Sequence, residues 1–391
     1  MRALAIAALA SLGLAACATS GTGGADDPGP PPAGTTEDGS TDATPPREVD
    51  ASAADATARP DSSPDAATND APSTPPPMKM PAFLVGYNEA WFGSKFGTDL
   101  TTDFDPTYVG ATFDGIVKAG GHVVRLFLFE ALQGITLGAA PPQTQSLSPV
   151  FLTNLGAVLA AARARGLWVY LTALEGNEMS KVAATKAFYQ NLLSDGAGEG
   201  VAFETNVLAP LLAVLDGHHE NLFGHDLVNE IDAPTRDGMW SDPVNGPRGF
   251  IQRTTAFVKS KSPWIRVTTT VGWDGAQYNI SSGSLSGLGL DFYDLHVYSD
   301  SGSYAGATDV CSRAASDGVP VYLGEFGQKS HTIDDNLQYA AAATFLSTAK
   351  SMCFKGAIAW RYDTAENWWA FVRADGGFRP AVALMQTFGG P

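Results

Sequence analysis

From residue 81 onward the chain alternates between two apolar patterns. Eight short segments are almost continuously apolar, rich in Val, Leu, Ile, Phe and Tyr: 83–91, 122–130, 167–175, 222–230, 265–273, 292–298, 320–326 and 356–362. Strands buried on both faces look like this, because neither face meets water. Between them apolar residues recur at helical spacing. In 149–165, Ser148 precedes the run and Gly166 follows it, residue types that start and stop helices. The stretches 249–261, 336–352 and 379–388 read the same way. Strands alternating with helices imply a parallel sheet, and eight such units predict an α/β protein of the (β/α)8 TIM-barrel type. Roughly 310 residues are available, an ordinary length for that fold with modest loop insertions. Its chemistry sits at the C-terminal strand ends.

The predicted strand ends carry polar and aromatic residues. Asn229-Glu230 closes the fourth strand and Glu325 lies at the end of the seventh. His296 and Tyr298 are two apart on the sixth strand, so they face the same side. Arg125 interrupts an otherwise apolar second strand. A buried guanidinium needs a carboxylate partner, and Glu325 is the natural candidate. Arg125 and the Tyr298 hydroxyl are expected to keep Glu325 ionised. Glu230 is expected to be protonated at rest, its carboxyl raised by a neighbouring carboxylate and a partly apolar wall. Two carboxyls tuned apart form an acid and a nucleophile, and one reaction suits them above others, cleavage of a glycosidic bond.

Asn229-Glu230, His296-x-Tyr298, Gly324-Glu325-Phe326-Gly327, Arg125 and Trp360 together resemble clan A glycoside hydrolases. They look most like family 5, the cellulase and mannanase family, and the resemblance runs from about residue 82 to 391, in the family's order of strands. It implies Glu230 as acid/base and Glu325 as nucleophile. It implies Asn229 on the sugar 2-hydroxyl, Arg125 and Tyr298 orienting Glu325, His296 beside the pair, and Trp360 as the floor of the sugar site. A separation of about 5–5.5 Å between the carboxyls would give retention of configuration through a covalent intermediate. One departure matters. Many members carry a histidine near the end of strand three, where this chain has Thr172-Ala173-Leu174-Glu175. That weighs against common cellulase subfamilies and toward mannanase-like or uncommon ones. The expected activity is cleavage inside β-1,4-linked mannan or glucan chains. Alternatives are an exo-acting β-mannosidase or β-glucosidase, and a surface lipoprotein that binds glycans without cutting them. The intact set of Glu230, Glu325 and Arg125 argues against that last alternative.

Further aromatic residues fall at strand ends. Trp91 and Trp273 close strands one and five, and Trp369 follows strand eight. Each is a candidate for stacking on a sugar ring or for loop packing, as are Trp240 and Trp368. Asn88, Glu89, Glu130, Glu175 and Asp274 also sit at strand ends, where they bond substrate hydroxyls or cap loops.

Composition adds a second region. Residues 18–80 contain no aromatic residue and hold eleven acidic residues against Arg47, Arg59 and Lys79. Such a Pro-, Ala-, Asp- and Thr-rich segment cannot bury enough apolar surface to offset its ordering entropy, so 17–80 is expected to be a disordered tether. Before it, Arg2 and an apolar run lead to Leu14-Ala15-Ala16-Cys17, which resembles the bacterial lipobox. The run is shorter than the about 20 residues that span a bilayer. Residues 1–16 therefore read as a lipoprotein signal peptide, with lipid attached to Cys17 as the protein's one link to a membrane. The Ala18 that follows favours an outer-membrane anchor, with the domain 81–391 at the cell surface or in the periplasm.

The formal net charge of −17 argues against a nucleic-acid binder, which needs a basic face. The six histidines form no H-E-x-x-H pattern, and there is neither a G-x-S-x-G elbow nor a P-loop. A monomer with no cofactor and no catalytic metal is expected, with a polysaccharide or oligosaccharide as its partner. Cys311 and Cys353 could pair in an exported protein or remain small buried residues.

Overall fold

A computed structural model describes residues 78–390 apart from 182, 237–238, 240–244, 273–279, 305 and 364–367. The expected signal peptide, Cys17 and nearly all of the acidic segment lie outside the described residues, as do Trp240, Trp273 and Asp274.

The eight predicted strands form one parallel sheet. They are β1 (Leu84–Asn88), β2 (Val123–Phe127), β3 (Trp168–Glu175) and β4 (Leu222–Asn229), then β5 in two pieces (Val267–Thr268 and Thr270–Val271), β6 (Tyr293–Tyr298), β7 (Val321–Gly327) and β8 (Phe354–Ala359). Neighbours in sequence are neighbours in space, and β8 pairs with β1. The first piece of β5 pairs with β4 and the second with β6. The ring therefore closes through Thr269, between the pieces, and the protein is a (β/α)8 barrel.

Three elements differ from expectation. A continuous strand was expected over 265–273, but three buried threonines interrupt the ladder. The hydroxyl of Thr269 donates to Val228 O at 3.1 Å, that of Thr268 to Phe292 O at 2.7 Å, and the Thr270 amide turns to Asp226 Oδ1 at 3.2 Å. The eighth strand runs 354–359 rather than 356–362, which places Trp360, Arg361 and Tyr362 beyond its end. An antiparallel hairpin, Ile135–Leu137 with Thr144–Leu147, follows β2. Glu199 pins it, its buried carboxylate accepting from the Thr144 amide at 2.8 Å and from the Thr144 hydroxyl.

The helices follow the apolar spacing, with shifted ends. Pro149–Ala164 starts at its Ser148 cap, and Asn245–Lys261, Asp335–Ser351 and Val382–Gly389 match the other stretches. Their apolar faces, with Leu155 and Leu159, Val258, or Phe345 and Leu346, bury against the outside of the barrel. Each such side chain contributes about 1.5–3 kcal/mol. Inside, the N-terminal end is filled by one apolar layer: Leu84, Val123, Tyr170, Phe223, Phe292, Tyr322 and Ile358. That plug leaves the opposite end for chemistry. Cys311 and Cys353 form a disulfide with Cα atoms 5.6 Å apart, joining the helix Ala307–Asp317 to the entry of β8.

Candidate active site

Above the apolar layer, buried polar groups surround one guanidinium. Arg125 stands in register with Asn88 of β1 and is fully buried. Its Nη1 donates to Glu325 Oε1 at 2.6 Å and Asn88 Oδ1 at 3.0 Å. Its Nη2 donates to Asn229 Oδ1 at 2.7 Å and Asp226 Oδ2 at 2.9 Å. Burial disfavours its charge, yet the surrounding acids, Glu325 foremost, hold the guanidinium above its ordinary pKa. The expected partner Glu325 is in place. Asp226 is a second one that sequence reasoning missed, although a charged residue inside an apolar strand was the available signal.

Glu325 and Glu230 face each other across this end of the barrel, 3% and 6% exposed. Glu325 also accepts from the Tyr298 hydroxyl at 2.6 Å. Glu230 follows β4 with a φ of 46°, in the left-handed region. A glutamate is strained there by about 1–3 kcal/mol, which surrounding structure must offset. Its amide donates to Thr270 Oγ1 at 2.8 Å, and its Oε2 accepts from Asn177 Nδ2 at 2.9 Å. His296 lies in register with Glu325, its Nδ1 3.3 Å from Glu230 Oε1 and 3.5 Å from Glu325 Oε2. An oxygen of each glutamate and a ring nitrogen of His296 fall within 4.8 Å of one another.

Burial is the largest influence on these groups. It pushes Glu325 well above the ordinary carboxyl range, Arg125 and Tyr298 pull it back, and the charge of Glu230 pushes it up again. Arg125 and Tyr298 thus act in the expected direction, against a larger opposing effect. Two carboxyls this close do not both ionise readily, so the pair holds a proton in common. Burial likewise lowers His296 to about 4, against the pull of Glu230, leaving a neutral imidazole at neutral pH.

Aromatic rings wall the site. Trp360, Phe127 and Ala90 form a cluster against which Trp91, Tyr298 and Trp369 pack. Trp369 is fixed by its indole N–H, which donates to Gln328 O at 2.7 Å, and its ring lies 5.6 Å from that of Tyr298. The guanidinium of Arg361 covers Trp91 at 4.4 Å from the ring centre. Trp368 stacks on His331 and meets Trp369 edge-on. Arg125, Asn229, Glu230, His296, Tyr298, Glu325, Trp91, Trp360 and Trp369 are therefore all at one end of the barrel.

Glu230, His296 and Glu325 are, among the described residues, the group close enough to share a metal ion. The guanidinium 2.6 Å from Glu325 sets a positive charge against such an ion, and the trio is better suited to moving protons. Sequence reasoning missed Asn177 altogether, because it lies in the short helix Gly176–Lys181 that directly follows β3, too short to show a periodic pattern. Asn88 and Glu175, weighed only as strand-end residues, both belong to the hydrogen-bond network.

No protein-family model matches the sequence, and no curated protein is similar to it in sequence. Its likeness is to solved structures of (β/α)8 glycoside hydrolases. A β-1,4-D-mannanase from Cryptopygus antarcticus superposes with a TM-score of 0.60 at 16% identity, covering 79% of this chain and 91% of that one. A GH5_18 protein from Streptomyces cattleya, in complex with Manb1-4GlcNAc, gives 0.62 at 17% identity over 78% and 80%. The exo-β-1,4-mannosidase Op5Man5 from an Opitutaceae bacterium gives 0.60 at 18% identity over 78% and 59%. The shared feature is the fold.

Proposed function

We propose that this domain is a retaining β-glycosidase acting on β-1,4-linked mannan. The observation that carries the reading is the short gap between two buried carboxyls, with an oxygen of each within 4.8 Å. Retaining enzymes hold their pair about 5–5.5 Å apart, whereas inverting ones need about 6.5–9.5 Å to admit a water.

Glu325, ionised beside Arg125, attacks the anomeric carbon while Glu230 gives its proton to the departing glycosidic oxygen. The C–O bond to the leaving sugar breaks as the bond to Glu325 forms. Glu230, now ionised, takes a proton from water, and the hydroxide displaces Glu325 with a second inversion. Asn229 donates to the sugar 2-hydroxyl. Trp360 forms the floor, and Trp91 and Trp369 stack on neighbouring sugar rings. This scheme requires no metal or cofactor.

The choice of mannan over glucan is supported by the mannan-directed names of the fold neighbours and by the lack of a histidine in Thr172-Ala173-Leu174-Glu175, the stretch near the end of strand three where many family 5 members carry one. Attack inside the chain is the first mode. An exo-acting enzyme is the second, favoured by the likeness to a named exo-mannosidase.

The test is reducing-sugar release by residues 81–391 from β-mannan, mixed-linkage glucan, carboxymethylcellulose and xylan, with 4-nitrophenyl β-mannoside for exo action. Activity should appear on mannan and fall at least 10³-fold in Glu230→Gln and Glu325→Ala, both still folded by circular dichroism, Glu325→Ala with a lower melting temperature because Arg125 keeps only Asp226 as an ion-pair partner. Equal release from the variants, or none from wild type, would sink the assignment.

A further inference from the structure

Glu175 and Asn177 lie beside the pair and have no part in the scheme above. Glu175 ends β3 and stands in register with Asn229 of β4. Its Oε1 accepts from the Asn177 amide at 2.6 Å and from Asn177 Nδ2 at 2.8 Å, and its Oε2 from Asn229 Nδ2 at 2.5 Å. The same Asn177 Nδ2 donates to Glu230 Oε2 at 2.9 Å. A side-chain amide nitrogen carries two hydrogens, and here each is engaged by a different glutamate. Glu175 also determines which way the Asn229 amide faces. The Asn229 nitrogen points to Glu175, and its oxygen accepts from Arg125 and, at 3.3 Å, from the Thr270 hydroxyl.

We propose that Glu175 is a positioning residue that holds Glu230 in place through Asn177, shares a proton with it across that bridge, and fixes the orientation of Asn229. The proposal rests on the reading of Glu230 as the acid/base. Like charges disfavour double ionisation, so a carboxyl bridged to a second carboxyl keeps its proton to higher pH. Burial, and then the charge of Glu230, push Glu175 up to about 8. Between them the two carboxyls retain a proton through neutral pH, and the titration belongs to the pair. Glu130, Glu178 and Tyr189 face Glu175. Glu325 and the neutral His296 face Glu230, with Arg125 behind them. All remain in the variants below.

The experiment is the pH dependence of kcat/KM, which reports the free enzyme's acid and base, in Glu175→Gln and Asn177→Ala. Glu175→Gln removes the neighbouring charge, so the alkaline limb should move down by about one pH unit. Asn177→Ala removes a donor to the ionised form of Glu230, so the limb should move up. A merely structural role lowers the rate at every pH and moves neither limb, and that result overturns the proposal. If Glu175→Gln does not fold, the sign of the Asn177→Ala shift decides alone. Carbon-13 NMR titration of the glutamate carboxyls, with Glu230 identified by its loss in Glu230→Gln, gives a readout independent of turnover. A Glu230 midpoint that falls in Glu175→Gln supports the proton-holding role even if no polymer is cut, in which case only the glycosidase reading fails. An unmoved midpoint, with mannan cut by wild type and not by Glu230→Gln, leaves that reading standing and overturns this one.

Discussion

A guanidinium shut off from water costs several kcal/mol unless it is paired, and Arg125 answers that cost with four acceptors. Burial alone made its need for a carboxylate legible in the sequence. The same argument pointed equally to Asp226, whose other oxygen accepts from the Val228 and Thr270 amides, but an isolated sequence does not rank two carboxylates. Glu325 is held between opposing effects, and Tyr298 acts on one side of the balance. The Tyr298 hydroxyl donates to Glu325 and so favours its ionised form. Tyr298→Phe should therefore raise the pKa of the nucleophile, and activity should be lost at a higher pH as acid is added. The acid limb of kcat/KM should rise by about one unit, and the plateau should fall roughly 10–100-fold, the worth of a hydrogen bond to a charged group. A limb that stays in place would show that the hydroxyl does not tune Glu325.

At the scale of elements, all eight strands were legible because each is apolar on both faces. Their ends were not, because the polar residues that finish a barrel strand resemble those that begin a loop. The broken β5 was hidden for a related reason: a run of threonines has the branching of a strand and the hydroxyls to replace its ladder. Close approach between elements is also invisible in a single sequence. Gly176, just after β3, has no room for a side chain, since a Cβ there would lie 2.3 Å from Glu230 O and 2.6 Å from Asn229 O. Gly176→Ala should push the end of β4 aside and displace Glu230 and Asn229 together. A displacement near 1 Å costs about 10²-fold in kcat, and the crowding about 1–3 kcal/mol of stability. Kinetics beside a thermal melt would check this. A variant with wild-type kcat would mean that β4 yields without moving its glutamate.

For the whole molecule, the acidic segment before residue 81 is expected to be a tether ending in a lipid at Cys17. We propose that this places the barrel on a membrane surface while leaving it free to meet polymer. Cys17→Ala should move the protein from the membrane fraction of expressing cells to the soluble exported fraction. Trimming residues 18–80 by mild proteolysis should leave mannan cleavage unchanged. Retention of Cys17→Ala on membranes, or loss of activity on trimming, would count against this picture. The Cys311–Cys353 bridge gives the location a further meaning. It spans a separation of 42 residues, and Glu325 lies inside it, so the proposed nucleophile rides on a covalently closed ring. Closing a loop of that size removes unfolded-chain entropy worth about 4 kcal/mol. If the chain is exported as proposed, the ring would be open in the reducing cytosol, and the newly made chain correspondingly easier to keep unfolded for passage across a membrane. On that proposed route, oxidation on the far side would add the stability of the closed ring where the polymer is met.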